Sequence, residues 1–240
     1  MSRYPIYLEV TDSLCMAHIL DLPGCTLRAP SRTETLARLP AAILDHLAWL
    51  RRHGEPIPPA DDPVEIEVAG ESHGFGPFDP DDTAALFPPD RVPLTPAEME
   101  AYFRLMAHAR ADLLSLVEPL PDDLLDRQPD PDSWAIRRIL RHIGNAEEWY
   151  VSRLVPPDTL PPEWEHDDEL PVFEFLAMER RTAIDRLRRL TAEELAVVVY
   201  PTCWTNHPDE PWTARKSFRR AVEHEREHTG QIQEMLMWNH

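Results

Sequence analysis

A chain of 240 residues, 42% of them hydrophobic, is long enough for one large domain or two small ones and apolar enough to bury a core, which excludes a disordered chain. The 43 acidic residues against 24 basic ones leave a net charge of −19, a balance that repels phosphate backbones and argues against nucleic-acid binding. Three cysteines, Cys15, Cys25 and Cys203, are too few and too irregularly spaced for a disulfide framework or a cysteine-type zinc site. They suit a reducing compartment. Without a membrane-length apolar run or a signal-peptide core, the composition predicts a cytoplasmic protein with no membrane partner.

In chain order, residues 4–10 alternate: Tyr4, Ile6, Leu8 and Val10 fall on one face, Tyr7 and Glu9 on the other. That period of two predicts a half-buried strand. Short apolar runs at 14–20 and from 25 to 28, separated by the turn Asp21-Leu-Pro-Gly24, predict two more strands in an antiparallel meander. The period then changes. Ser31 or Thr33 caps a helix carrying Leu36, Leu39, Ala42, Ile43, Leu47 and Leu50 at helical spacing, with a backbone hydrogen bond lost at Pro40 and a stop at His53-Gly54. Residues 64–68 alternate as a fourth strand. The order β-β-β-α-β makes residues 1–72 an α+β domain.

The residues His18-Ile-Leu-Asp-Leu-Pro-Gly-Cys25, followed by the threonine-rich helix start and the helix through Trp49 and Leu50, resemble the HicB-like antitoxin fold. In that family the module neutralises a toxin and binds DNA. Here the domain is not basic and no DNA-binding segment follows, so a structural or partner-binding accessory role fits better. Residues 73–92 form a connector rich in proline and glycine, with a turn at Phe75-Gly-Pro-Phe78 and a solvated loop histidine, His73.

Residues 93–240 are helical. Thr95-Pro-Ala-Glu98 is a capping box with proline at the first helical position, opening a helix that carries Tyr102, Leu105, Met106, Ala109, Leu113 and Val117 to a stop near Pro119. Asp132 or Ser133 caps a second helix with Ile136, Ile139, Leu140, Ile143, Ala146, Tyr150 and Leu154 on its apolar stripe. A third covers about 172–190, and Thr191-Ala-Glu-Glu194 caps a further turn. The last opens near Trp212-Thr213 and runs almost to the end. Four long amphipathic segments predict an all-α four-helix bundle, in either up-and-down or crossover topology.

The last helix places His224 and His228 four residues apart, so both imidazoles lie on one face. His142 lies beside Ile139, Ile143 and Ala146 on the second bundle helix, and a bundle brings such stripes together. Three neutral imidazoles make a metal set with open positions, the pattern of a reactive rather than a closed structural site. The competing reading makes Glu223-His-Glu-Arg-Glu-His228 a solvated face laced with glutamate–arginine pairs. Glu147 or Glu227 is a candidate to orient a ligand histidine. His108, Trp134, Trp149 and Tyr150 read as packing groups. The run Arg215, Lys216, Arg219 and Arg220 reads as an anion site or, better, as partners for acids of a neighbouring helix.

Ser133-Trp134, Ile139-Leu-Arg-His142, Ala146-Glu-Glu-Trp-Tyr150 and His224-x-x-x-His228-x-x-Gln231-Ile232 together resemble the DinB-like family of four-helix metalloproteins. The resemblance implies a divalent metal on His142, His224 and His228, zinc or nickel first, with iron or manganese as further options. Some members of that family are thiol-dependent transferases or isomerases, which implies a small thiol or other small molecule as substrate. A non-enzymatic interaction module is the alternative. A homodimer is the prior for a small bundle. Because ligand histidines must be neutral, metal release is expected as pH falls through roughly 6 to 5.

Overall fold

A computed structural model describes residues 3–57, 64–73, 84–165 and 169–237. The chain forms two compact units. One comprises residues 1–91 together with Thr205–Glu210, the other Val92–Trp204 together with Pro211–His240.

The first unit is a small sheet with one helix. Strand β1 (Arg3–Val10) pairs antiparallel with β2 (Cys15–His18), which pairs antiparallel with β3 (Thr26–Ala29). Helix α1 (Arg32–Arg52) then returns the chain to β4 (Glu65–His73), which lies parallel to β1 and gives the strand order β3-β2-β1-β4. A parallel pair needs a long crossover, and α1 supplies it. Ser31 caps α1 by accepting from the Glu34 amide at 3.2 Å. Thr35 ties the helix to the sheet by donating to the Cys15 carbonyl at 3.1 Å. Pro40 lies inside the helix.

Tyr4, Ile6 and Leu8 are buried, as alternation requires. Glu9, on the opposite face, is buried as well: its Oε1 lies 3.0 Å from Nε2 of His18, also fully buried. Alternation divides a strand into two faces but does not say that only one is covered. Strand β4 is mostly exposed and extends past the 64–68 run, placing His73 at a strand end, 3.6 Å from Glu71, rather than in a loop. The turn expected at 75–78 lies outside the described residues. Glu210 joins this unit by accepting from the Ala84 amide at 2.7 Å.

The second unit is the helical bundle: α2 (Pro96–Val117), a short α3 (Asp122–Leu125), α4 (Ile136–Ser152), α5 (Val172–Leu187), a short α6 (Ala192–Ala196) and α7 (Ala214–Met237). The capping box at Thr95 and Glu98 forms in full, and so does that at Thr191 and Glu194. The cap expected at Asp132 or Ser133 does not. Helix α4 begins after Ala135 with no side-chain cap, because Ser133 Oγ donates to Asp130 at 2.5 Å within the preceding turn. Helix α7 packs on α2 and α4, and α4 packs on α5.

Phe175, Phe218, Ile139, Leu140, Leu113 and Val222 are fully or almost fully buried in this core. Each contributes about 1.5–3 kcal/mol on removal from water. The approach of α4 to α5 depends on Gly144, where a Cβ would overlap the Phe175 ring. None of the described helices is long and apolar enough to cross a membrane.

A charged cluster runs through the bundle. Arg110 of α2 donates to Glu225 of α7 (2.5 Å) and to Glu147 of α4. Arg180 of α5 donates to Glu147 (2.8 and 3.0 Å) and Glu225 (2.5 Å). Each of the four long helices supplies one charge. The arginines also join α2 to α5 through the backbone: Arg110 donates to the Leu176 carbonyl at 2.7 Å, and Arg180 to the Met106 carbonyl at 2.6 Å. Between them, the two arginines hold the Glu225 carboxyl below its usual range, against the opposing effect of burial.

Candidate metal centre

Helices α4 and α7 bring the three histidines together. Nε2 of His224 lies 2.9 Å from Nε2 of His142 and 3.2 Å from Nε2 of His228. The three ligand nitrogens all fall within 4.8 Å of one another. With metal–nitrogen bonds of about 2.1 Å, nitrogens at right angles would stand about 3.0 Å apart and tetrahedral ones about 3.4 Å. Two of the spacings match that range. The third, between His142 and His228, is within 4.8 Å, so a side-chain movement of up to about 1.4 Å brings it to the tetrahedral spacing.

The donor chemistry fits a cation. His228 Nδ1 faces Gln231 Oε1 at 2.7 Å, a contact that calls for a proton on Nδ1 and turns the lone pair of Nε2 toward His224. A single Nε2–H on His224 can serve only one of its two imidazole neighbours. One metal ion serves all three lone pairs at once. Burial pushes the His142 pKa down to about 4, with His228 and Arg138 adding to the shift, so this imidazole is neutral at pH 7 as a ligand must be.

Aromatic rings surround the cluster. Trp134 meets the His142 ring edge-on at 5.1 Å between centroids, and Tyr150 packs against His224 at 5.9 Å. His224 is buried, while His142 and His228 are partly exposed. The cluster therefore opens to solvent on one side.

Other sequence candidates take different places. Glu147 belongs to the four-charge cluster, Glu227 lies 3.8 Å from Arg220, and Gln231 contacts a ligand histidine. The signal was the spacing of three residues from His228, which puts Gln231 on the same helical face. Glu223 and Glu225 do not form a solvated face. Both are buried, Glu223 against Arg219 (3.1 Å) and Arg220 (2.8 Å). Within the basic run, Arg215 pairs with Glu98 of α2 at 2.8 Å. Lys216 is fully buried over the Trp212 ring at 3.8 Å and donates to the Pro211 carbonyl. His108 is half-buried on α2 and takes no part in the histidine cluster.

A helical bundle with three convergent imidazoles on two of its helices has the architecture of a bundle metalloprotein. The chain belongs to the DinB superfamily, whose model matches residues 105–232, a span that contains all three histidines. Among solved structures it is similar to YfiT from Bacillus subtilis, described as a probable metal-dependent hydrolase with an unusual four-helix bundle topology. The two are 18% identical over 65% of this chain and 93% of that one, with a TM-score of 0.46. No curated protein matches the chain.

Proposed function

We propose that this protein binds one divalent metal ion through Nε2 of His142, His224 and His228 and uses it to act on a small molecule. The observation that carries this reading is the convergence of the three Nε2 atoms at 2.9 and 3.2 Å, with the Gln231 side chain orienting one of them. Zinc or nickel suits an all-imidazole set, with iron or manganese next. A bound ion there would supply Lewis acidity and lower the pKa of a coordinated thiol or water. His142, His224 and His228 hold and orient, Trp134 and Tyr150 exclude water from two sides, and Gln231 keeps the proton of His228 on Nδ1. Thiol-dependent transfer or isomerisation of a small electrophile is the first reaction class, and hydrolysis by the same kind of centre is the second.

Metal analysis of the purified protein tests the site. About one divalent ion per chain is expected, lost when His224 and His228 are both changed to alanine. Absence of bound metal, together with no rise in Tm on adding zinc or nickel, would overturn it. Incubating the loaded protein with low-molecular-weight thiols and a maleyl or chlorinated electrophile, and separately with simple esters, distinguishes the reaction classes.

A second reading, a non-enzymatic interaction module, is favoured by the exposed Val197, Tyr200 and Trp204 on the segment before α7. In that reading the bundle dimerises and the first unit, as a HicB-like accessory domain, recruits a partner. Loss of metal binding with a stable dimer by light scattering supports it.

A further inference from the structure

Arg138 lies one helical turn before His142 on α4, and Trp134 one turn-length earlier still. The Arg138 guanidinium stacks over the Trp134 ring, with Cζ 4.4 Å from its centroid, and that same ring meets His142 edge-on. One indole thus fixes the guanidinium beside the histidine cluster. The other arginines of this helix stretch are engaged elsewhere. Arg137 pairs with Asp126 (2.6 Å) and Asp122 (2.7 Å), while Arg141 lies over Phe175 and donates to the Leu170 carbonyl. Arg138 makes no hydrogen bond or ion pair among the described residues, in a chain with 43 acids. Its positive charge also bears on His142.

The charge balance around the cluster points the same way. Three imidazole ligands are neutral and leave the full charge of a divalent ion in place. Nearby carboxylates are matched by arginines: Glu147 and Glu225 pair with Arg110 and Arg180, Glu223 with Arg219 and Arg220, and Glu227 lies 3.8 Å from Arg220. The protein as a whole, at −19, repels anions at long range. Attraction for an anion at this site is therefore local, supplied by the metal position and the guanidinium one turn away.

We infer that Arg138, held on Trp134, selects the substrate of this centre: a small anion with two acidic groups, one bound at the histidine cluster and the other, a carboxylate or its equivalent, paired with the Arg138 guanidinium. The inference rests on the metal-site reading given above. A planar guanidinium with uncommitted donors suits a carboxylate, which it grips through two parallel hydrogen bonds.

The experiment uses the full chain loaded with cobalt(II), whose visible absorption reports ligands entering its coordination shell. Mercaptoacetate, a thiol with a carboxylate, is titrated against 2-mercaptoethanol, a neutral thiol of similar size. Each binds as the thiolate and releases its proton to the buffer. The quantity read is the ratio of the two affinities, which cancels differences in loading. The ratio is expected to favour mercaptoacetate and to fall about tenfold in Arg138→Gln, the effect of one charge-assisted hydrogen-bonded pair. Arg138→Lys should restore part of it, and Trp134→Leu should reduce it by loosening the guanidinium. An equal ratio in the parent protein and Arg138→Gln, with cobalt bound in both, overturns the inference and leaves the metal site standing. Failure of the parent protein to bind cobalt, zinc or nickel overturns the metal site and this inference with it.

Discussion

The bundle contains two clusters of polar side chains only a few residues apart in sequence, and they are built on opposite principles. Arg110, Glu147, Arg180 and Glu225 bring two positive and two negative charges together, and each guanidinium reaches both carboxylates. Their remaining donors go to the Leu176 and Met106 carbonyls. His142, His224 and His228 instead turn nitrogens of one kind toward one point. A buried cluster that balances its own charge and hydrogen bonds holds helices together. A cluster of like donors aimed at one position calls for a cation from outside. Glu225 adjoins His224 in the chain, so a rotation of one residue about α7 separates the charged cluster from the histidine cluster.

The comparison breaks hardest at the four-charge cluster. Glu225→Leu leaves two buried guanidiniums sharing one carboxylate, and the expected loss is about 3–5 kcal/mol of stability. Denaturant unfolding measures it, and a loss below about 1 kcal/mol would show that the cluster does not hold the bundle. Replacing all four charges together by apolar residues should recover much of the loss, because no unpaired charge then remains.

A smaller effect belongs to His142 in the metal-free protein. Its folded-state pKa is about 4 against an ordinary value of 6.5, so the unfolded chain binds the proton first as pH falls. Stability linked to this group is fully present above pH 6.5 and is lost as pH drops toward 4. The amount is about 2 kcal/mol once partial exposure of the ring is discounted. His142→Gln should flatten the pH dependence of stability between 6.5 and 4.5 by that amount, and an unchanged slope contradicts the burial of a neutral imidazole.

Gly144→Ala comes next. The added methyl group meets Phe175, and the expected cost is about 1–3 kcal/mol from overpacking at the α4–α5 crossing. Pairing it with Phe175→Leu should return part of the stability, and a cost of zero would mean that the two helices separate freely. The smallest change concerns Gln231. Gln231→Leu removes the acceptor for His228 Nδ1 and should weaken metal binding about tenfold with little change in Tm of the metal-free protein. Equal metal affinity in the two proteins would leave Gln231 as a surface residue only.

Much of the fold was legible because local signals agreed with it. Thr95 and Glu98 form the capping box they spell, as do Thr191 and Glu194, since both partners lie within one turn. Tyr4, Ile6 and Leu8 are buried as period two demands. Signals with two local solutions were not legible. Ser133 was free to cap α4 or to bond Asp130, and it bonds Asp130. Glu9 lies on the face that reads as polar, and its burial depends on His18 from the neighbouring strand.

The candidate site divides in the same way. The spacing of His224 and His228, and of Gln231 three residues on, was determined by the sequence itself, because helical geometry converts spacing into a shared face. The apolar stripe around His142 likewise directs that residue inward. Which carboxylates are structural was decided by the tertiary structure alone. Glu225 and Glu147 sit in charge-rich stretches, and their arginine partners Arg110 and Arg180 lie far away in the chain on other helices, whereas Glu223 pairs with Arg219 and Arg220 one turn earlier on its own helix. The position of Arg138 over Trp134, beside His142 and apart from any acid among the described residues, also emerges only in three dimensions. The physical reason is range: helix geometry is set within a turn, whereas the pairing of charges depends on which helices the bundle places side by side.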